Sequence, residues 1–146
     1  MGQGSIIGYE INEKTCQISY YNEEELEPDT LEVDTENYQI PLIIGILRDT
    51  WAYGKEAKRL VTIKEGFTVT RLLDKSLSGE KIEFGEETYD AVWLLSQFIQ
   101  MSLQSFPQID GIVFSVPVLT EELAQMLRGI AVRMNIDKRH IFIQDY

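Results

Sequence analysis

The chain has 146 residues, of which 44% are apolar, and a formal net charge of −11; a chain of that length buries a core without staples and is expected to be one domain. One cysteine, Cys16, excludes an internal disulfide, and with a single histidine, His140, it excludes an ordinary structural zinc site. The charge is uneven: residues 1–50 hold eleven acids against two bases, Lys14 and Arg48, a surface that repels nucleic-acid phosphates and anionic membranes.

No basic stretch followed by a long apolar run opens the chain, and the lone thiol fits a reducing compartment, so the expected location is cytoplasmic. Met1–Ser5 (MGQGS) reads in part as cloning-derived and is set apart from the fold reading. Ser5–Glu10 is an apolar run ending in an acid and predicts a strand, and Gln17–Tyr21 predicts a second. The two form a hairpin turning at Asn12–Thr15, where Asn12 tolerates a left-handed backbone. Residues 23–36 carry eight acids and Pro28 and predict a solvated loop, with a short strand near Leu31–Val33. Gln39–Leu47 predicts a third strand, with Pro41 at its start where a missing donor is tolerated. Trp51–Gly54 extends and then turns, and Lys55–Leu60 predicts a short helix.

Phe67–Val69 and Lys81–Phe84 read as extended, with a turn at Ser78-Gly79-Glu80. Glu86–Phe106 predicts the longest helix, with Val92, Leu95, Ile99 and Leu103 on one face, widened by Leu94, Phe98 and Met101. The uncharged run from Ala91 to Ile109 contains Gln97, Gln100, Gln104, Gln108 and Pro107, too polar for lipid. Ile112–Pro117 is nearly all apolar and predicts a strand buried on both faces, as in a parallel sheet. Thr120 suits a helix N-cap, Glu121 and Glu122 suit the positive helix start, and Asn135 can close the helix in a left-handed cap. His140–Gln144 predicts the last strand. The implied fold is α/β: a mixed five-stranded sheet with three antiparallel strands followed by parallel βαβαβ, helices packed on it, in one domain over 1–146. That order is the ribonuclease H-like arrangement.

Four segments, in order, resemble the N-terminal half of the actin-like ATPase superfamily, in particular the DnaK-type heat-shock chaperones. Ile6–Lys14 stands where that family writes a strand ending in Asp, an apolar residue, Gly, Thr and Thr. Ile40–Ile44 stands at its Pro-Ser and apolar strand, Tyr53–Arg59 resembles its Gly-x-x-Ala-Lys-Arg segment, and Ile112–Pro117 resembles its strand ending in Val-Pro-Ala. The resemblance implies that a second phosphate loop and an adenosine-binding half would follow, so the chain reads as a piece of a longer protein. It also implies ATP and Mg as cofactors, with Asn12, Glu13, Lys14 and Arg71 at the phosphates, Glu10 at the metal, and Glu10 and Asp145 as catalytic carboxylates.

The loop departs from the family pattern where the chemistry needs it most. Glycine lets backbone approach phosphate, and the two threonines donate hydrogen bonds to it; here Asn12, Glu13 and Lys14 stand in their places. A carboxylate about 4 Å from a phosphate charge costs roughly 4 kcal/mol at an effective dielectric of 20, or roughly three decades of affinity. Lys14 offsets part of that cost; Thr70 stands at the family's lysine, and Arg71 beside it is a cation that could reach phosphate instead. The bland alternative is that Asn12–Lys14 is a hairpin turn with a charged tip.

Three functions are therefore expected in order: a divergent, noncatalytic or weakly nucleotide-binding lobe acting through protein contacts; the first lobe of an active Mg-ATPase; and a ribonuclease H-like nuclease using Glu10, Glu87, Asp90 and Asp110. The expected partners are the remaining half of the same ATPase domain and a second copy, through an exposed apolar face.

Overall fold

The computed structural model describes residues 4–22, 29–30 and 39–146. In chain order the first elements are β1 (Ser5–Ile11), β2 (Thr15–Asn22), β3 (Asp29–Thr30), β4 (Gln39–Pro41), β5 (Ile44–Leu47) and β6 (Thr50–Tyr53). Then come α1 (Lys55–Ile63), β7 (Phe67–Val69), α2 (Leu72–Leu77), β8 (Lys81–Phe84), β9 (Glu87–Asp90) and α3 (Ala91–Ser102). The chain continues with β10 (Ile109–Val116), α4 (Glu121–Arg133), a 3₁₀ turn (Lys138–His140) and β11 (Ile141–Asp145). The described residues fall into two compact units, one from Met1–Asn12, Cys16–Gln39 and Gln104–Tyr146, the other from Glu13–Thr15 and Ile40–Leu103.

The first unit is built on a mixed sheet in which five strands follow the order β11-β10-β1-β2-β3. β1 is antiparallel to β2 and parallel to β10, and β10 is parallel to β11. Period-two alternation sends Ile7, Tyr9 and Ile11 to one face of β1, all wholly buried, with Ile112, Phe114 and Val116 of β10 beside them. Tyr9 and Phe114 meet edge to face at 5.7 Å.

β10 was expected to be buried on both faces, but Val113 and Ser115 are only half-buried, so it alternates like a one-sided strand. α4 lies against β11 and buries Leu123, Leu127, Ile130 and Ala131. Thr120 Oγ1 accepts the Leu123 N–H at 3.1 Å, the expected N-cap. At the other end Asn135 takes φ 67. Its N–H donates to Val132 O and that of Ile136 to Ala131 O, which is a Schellman close.

One helical crossover, β10–α4–β11, joins neighbouring strands of this sheet, where two were expected. The other expected helix, α3, follows β9, a strand of a separate hairpin. Both β3, paired with Ser19–Tyr20, and β4, the opening of the expected third strand, pair with β2, and the expected strand at Leu31–Val33 lies outside the described residues. Gly4 and Ser5 belong to the fold: the Gly4 N–H donates to Asp110 Oδ2 at 3.1 Å, and Ser5 pairs with Asn22.

The second unit holds a three-stranded sheet, β6-β5-β7, and a β8–β9 hairpin. Gln39–Leu47, read as one strand, is two: the Ile43 N–H folds back onto Pro41 O at 2.9 Å between β4 and β5. β5 and β6 are joined by Arg48 and Asp49, both left-handed at φ 51 and 65, as a type I′ turn requires. The helix expected over Glu86–Phe106 is Ala91–Ser102, because Thr88 and Tyr89 pair across the hairpin with Glu83 and Ile82. It buries Leu94, Leu95, Phe98 and Ile99 completely, and Phe98 meets Tyr53 edge to face at 5.8 Å. No helix among the described residues is long and apolar enough to cross a membrane.

Candidate functional site

In the first unit the candidate residues gather where β1, β10 and β11 end. Glu10 is exposed and pairs in register with Ser115 on one side and Gln17 on the other. Ser115 in turn pairs with Gln144, whose Nε2 donates to Ser115 Oγ at 3.2 Å. Residues in register share a face, so Glu10, Gln17, Ser115 and Gln144 line one shallow cleft of about 280 Å³, with Gly8 and Ser19 in its floor. A Cβ at Gly8 would lie 2.4 Å from Ser19 Oγ, so a larger residue there would have to turn the Ser19 hydroxyl aside.

Asp145 pairs with Val116, so it points to the opposite face from Gln144 and Glu10. The two carboxylates proposed to act together are thus on different faces and two strands apart. Among the described residues Glu10 is the one acid lining the cleft. Magnesium accepts one or two carboxylates and keeps several waters, so Glu10 could orient such a hydrated ion.

The hairpin between β1 and β2 closes with Ile11 opposite Cys16. Asn12 was expected to be left-handed there, but it does not take a positive φ, nor do Glu13 and Lys14. A longer reversal needs no left-handed residue at its first position. Asn12 belongs with the first unit, while Glu13 and Lys14 belong with the second.

In the second unit Glu13 meets the start of α2. Its carboxyl lies against Asp74, accepting the Asp74 backbone N–H with the Asp74 side chain also in hydrogen-bonding range. Its Oε2 is buried with no hydrogen-bond partner. Burial first, and then the Asp74 carboxylate, push the Glu13 carboxyl above the usual range, against smaller opposing effects of the Asp74 backbone N–H and then Arg71. Arg71 sits just before α2 at φ 56 and places Nη2 3.1 Å from Asp74 Oδ2, with both side chains largely exposed. Leu72 and Leu73 behind it are buried and fix the start of α2. The Lys14 carbonyl accepts the Leu42 N–H at 2.8 Å, which ties the loop into the same unit. Glu13, Lys14 and Arg71 thus fall in one unit, and Arg71 spends part of its charge on Asp74.

Asp74 was missed in the sequence. Its signal is the Arg71–Asp74 spacing of three residues, which reads as a pair only once α2 is recognised as a helix. Among the acids considered for a nuclease, Asp110 is on β10 five residues before the partner of Glu10, roughly 17 Å along the strand. It holds the Gly4 N–H and Gln108 Nε2 instead. Among the described residues no group of three or more His, Cys, Asp and Glu is arranged to hold a metal ion. His140 Nδ1 lies 3.1 Å from the Asp110 carbonyl.

A family model described as family of unknown function (DUF5716), C-terminal, matches residues 27–146. The chain belongs to this family. No curated protein matches the sequence. The DUF5716 C-terminal match takes in Arg71, Asp74 and Asp145, whereas Glu10 and the Asn12–Lys14 turn precede the matched stretch.

Proposed function

We propose that this chain is the first lobe of a divergent actin-like ATPase domain, one that acts through protein contacts and binds nucleotide weakly or not at all. The order β11-β10-β1-β2-β3, with β1 antiparallel to β2 and parallel to β10, supports the ribonuclease H-like assignment on which that reading stands. Fold likeness alone does not carry function, so the noncatalytic part rests on the loop. The observation that carries it is the Glu13 carboxyl, turned into the second unit against Asp74. Two acids thus stand together beside this loop, and Arg71 is already engaged by one of them. A triphosphate arriving there meets repulsion with little to offset it.

The exposed sheet face supports the contact role. Ile6 is 46% and Phe142 57% exposed on the side of the sheet away from the buried residues of β1 and β10, and apolar surface of this kind favours a covering partner. Calorimetric titration of the protein with ATP and Mg tests the reading. The expected result is no saturable heat at micromolar protein; micromolar affinity with measurable phosphate release would overturn it.

A further inference from the structure

The second unit carries five aromatic rings in continuous contact, two of them exposed and two half-buried. Phe67 stacks on Phe84 at 5.8 Å, and Phe84 meets Trp51 at 6.2 Å and Tyr89 at 5.7 Å. Tyr89 stacks on Trp93 at 5.3 Å, and Trp51 closes the set at 5.7 Å from Trp93. Phe84 is the buried hub, while Phe67 and Trp93 are 48% and 43% exposed at the two ends. Isolated exposed apolar residues are ordinary; these belong to one ridge because the rings between them are in contact.

The charge around the ridge is mostly negative. Residues 80–93 contain five acids, Glu80, Glu83, Glu86, Glu87 and Asp90, against one base, Lys81. The Lys81 ammonium is 3.8 Å from the Asp90 carboxylate. Glu87 pairs with Phe84 across the hairpin and shares a face with Tyr89, two residues on. Glu86, in the turn, is exposed, as is Glu87.

We infer that this ridge, Phe67, Trp51, Tyr89 and Trp93 with Glu86 and Glu87 beside it, is a docking surface for an arginine-rich segment of a partner protein. A guanidinium plane stacks on Trp and Tyr faces and donates in pairs to carboxylates, so one side chain satisfies both features of the surface. Lysine offers the charge without the flat stacking face. The charge also argues against self-occupancy. A second copy carries −11, and the chain's own 23–36 segment carries eight acids, so either would be repelled. The inference does not depend on the nucleotide reading.

The test is fluorescence anisotropy of a labelled peptide of alternating Arg and Gly, titrated with the full chain, with a Glu-Gly peptide as control. Saturable binding is expected, weakening as salt rises. Trp93→Ala should lower affinity about tenfold, as should Glu86→Gln with Glu87→Gln, while Trp93→Phe retains most of it. Replacing Glu121 and Glu122 by Gln removes the same charge from α4 and should leave binding unchanged. Equal weakening by the α4 pair would reduce the effect to net charge and overturn the assignment. So would unchanged binding by Trp93→Ala, equal binding of the acidic peptide, or a dimer that Trp93→Ala dissociates. Because the Phe variant keeps a ring at this position, misfolding of the Ala variant would not shield the inference.

Discussion

The carboxyl of Glu13 accepts the backbone N–H of Asp74 and faces its side-chain carboxyl. The turn between β1 and β2 therefore serves as a joint within the second unit, holding Glu13 to the start of α2. Arg71 completes the arrangement from the other side, 3.1 Å from Asp74. The same three positions cannot hold this joint and offer their charges freely to an anion.

The joint should make stability depend on pH in a defined direction. Glu13 in the folded protein holds its proton more tightly than in the unfolded chain, since burial and Asp74 raise its pKa above 4.5. The folded state therefore binds more protons in the window between the two values, and stability falls as pH rises through it. Below that window the contribution is complete; above it, it is lost. Glu13→Gln keeps an acceptor for the Asp74 amide and adds a donor to the Asp74 carboxylate. It should be more stable than the parent at pH 7 by roughly 1 kcal/mol, the net worth of one hydrogen bond. Denaturant titrations across pH 4 to 8 check this: the gap between the two proteins should close as pH falls. A gap independent of pH would sink it.

Most of the first unit is legible in the sequence, and most of the second is not, for physical reasons. Strand β1, Thr120 and Asn135 carry local signals: alternation, an N-cap hydroxyl and a left-handed residue at the helix end. Phe67–Val69 was readable because an aromatic and two β-branched residues, Thr68 and Val69, make up the run. The β8–β9 hairpin was not, because Glu87–Asp90 continues the polar-apolar pattern of α3 and only pairing with Lys81–Phe84 takes it out of the helix. The site divides the same way. Glu10 at a strand end is visible from the apolar run before it, but the Glu13–Asp74 contact joins residues far apart in sequence, and Asp145's face follows from its register with Val116.

Two glycines should respond to alanine with opposite signs. A Cβ on Gly45 would lie 2.8 Å from Phe67 O and 2.9 Å from Thr68 Cγ2, across the β5–β7 pairing. The backbone oxygen cannot move without breaking that ladder, so Gly45→Ala should cost about 1–3 kcal/mol. Gly129, inside α4, has open space where its Cβ would go. Gly129→Ala should stabilise by about 1 kcal/mol through helix propensity alone. Chemical denaturation midpoints at constant m-value measure both, and a matching sign for the two would show that the crowding at Gly45 is relieved.

Cys16 should be inert in the folded protein. It is 1% exposed, and burial pushes its thiol up to about 12, with a smaller opposing effect from a bond to Tyr9. Thiolate is the reactive form, so access and ionisation both oppose reaction. Iodoacetamide at pH 8 should leave the native protein unlabelled over a period that fully labels it in denaturant, as mass spectrometry would report. Comparable labelling in both would mean that the β1–β2 pairing opens readily.

The two ends of α4 offer a last, separable test. Thr120→Ala removes the acceptor for the Leu123 N–H and should cost about 1 kcal/mol, while Thr120→Ser should cost little. At the far end Asn135 holds φ 67 so that Ile136 and its own N–H can close the Schellman pattern. Asn135→Gly should be neutral or slightly stabilising there, whereas Asn135→Val, β-branched at positive φ, should cost about 1–2 kcal/mol. The sites are roughly 20 Å apart along the helix, so Thr120→Ala with Asn135→Val should lose the sum of the two effects. A double variant markedly more stable than that sum would mean that the helix frays from one end before the other end matters, which thermal melts of the four proteins would reveal.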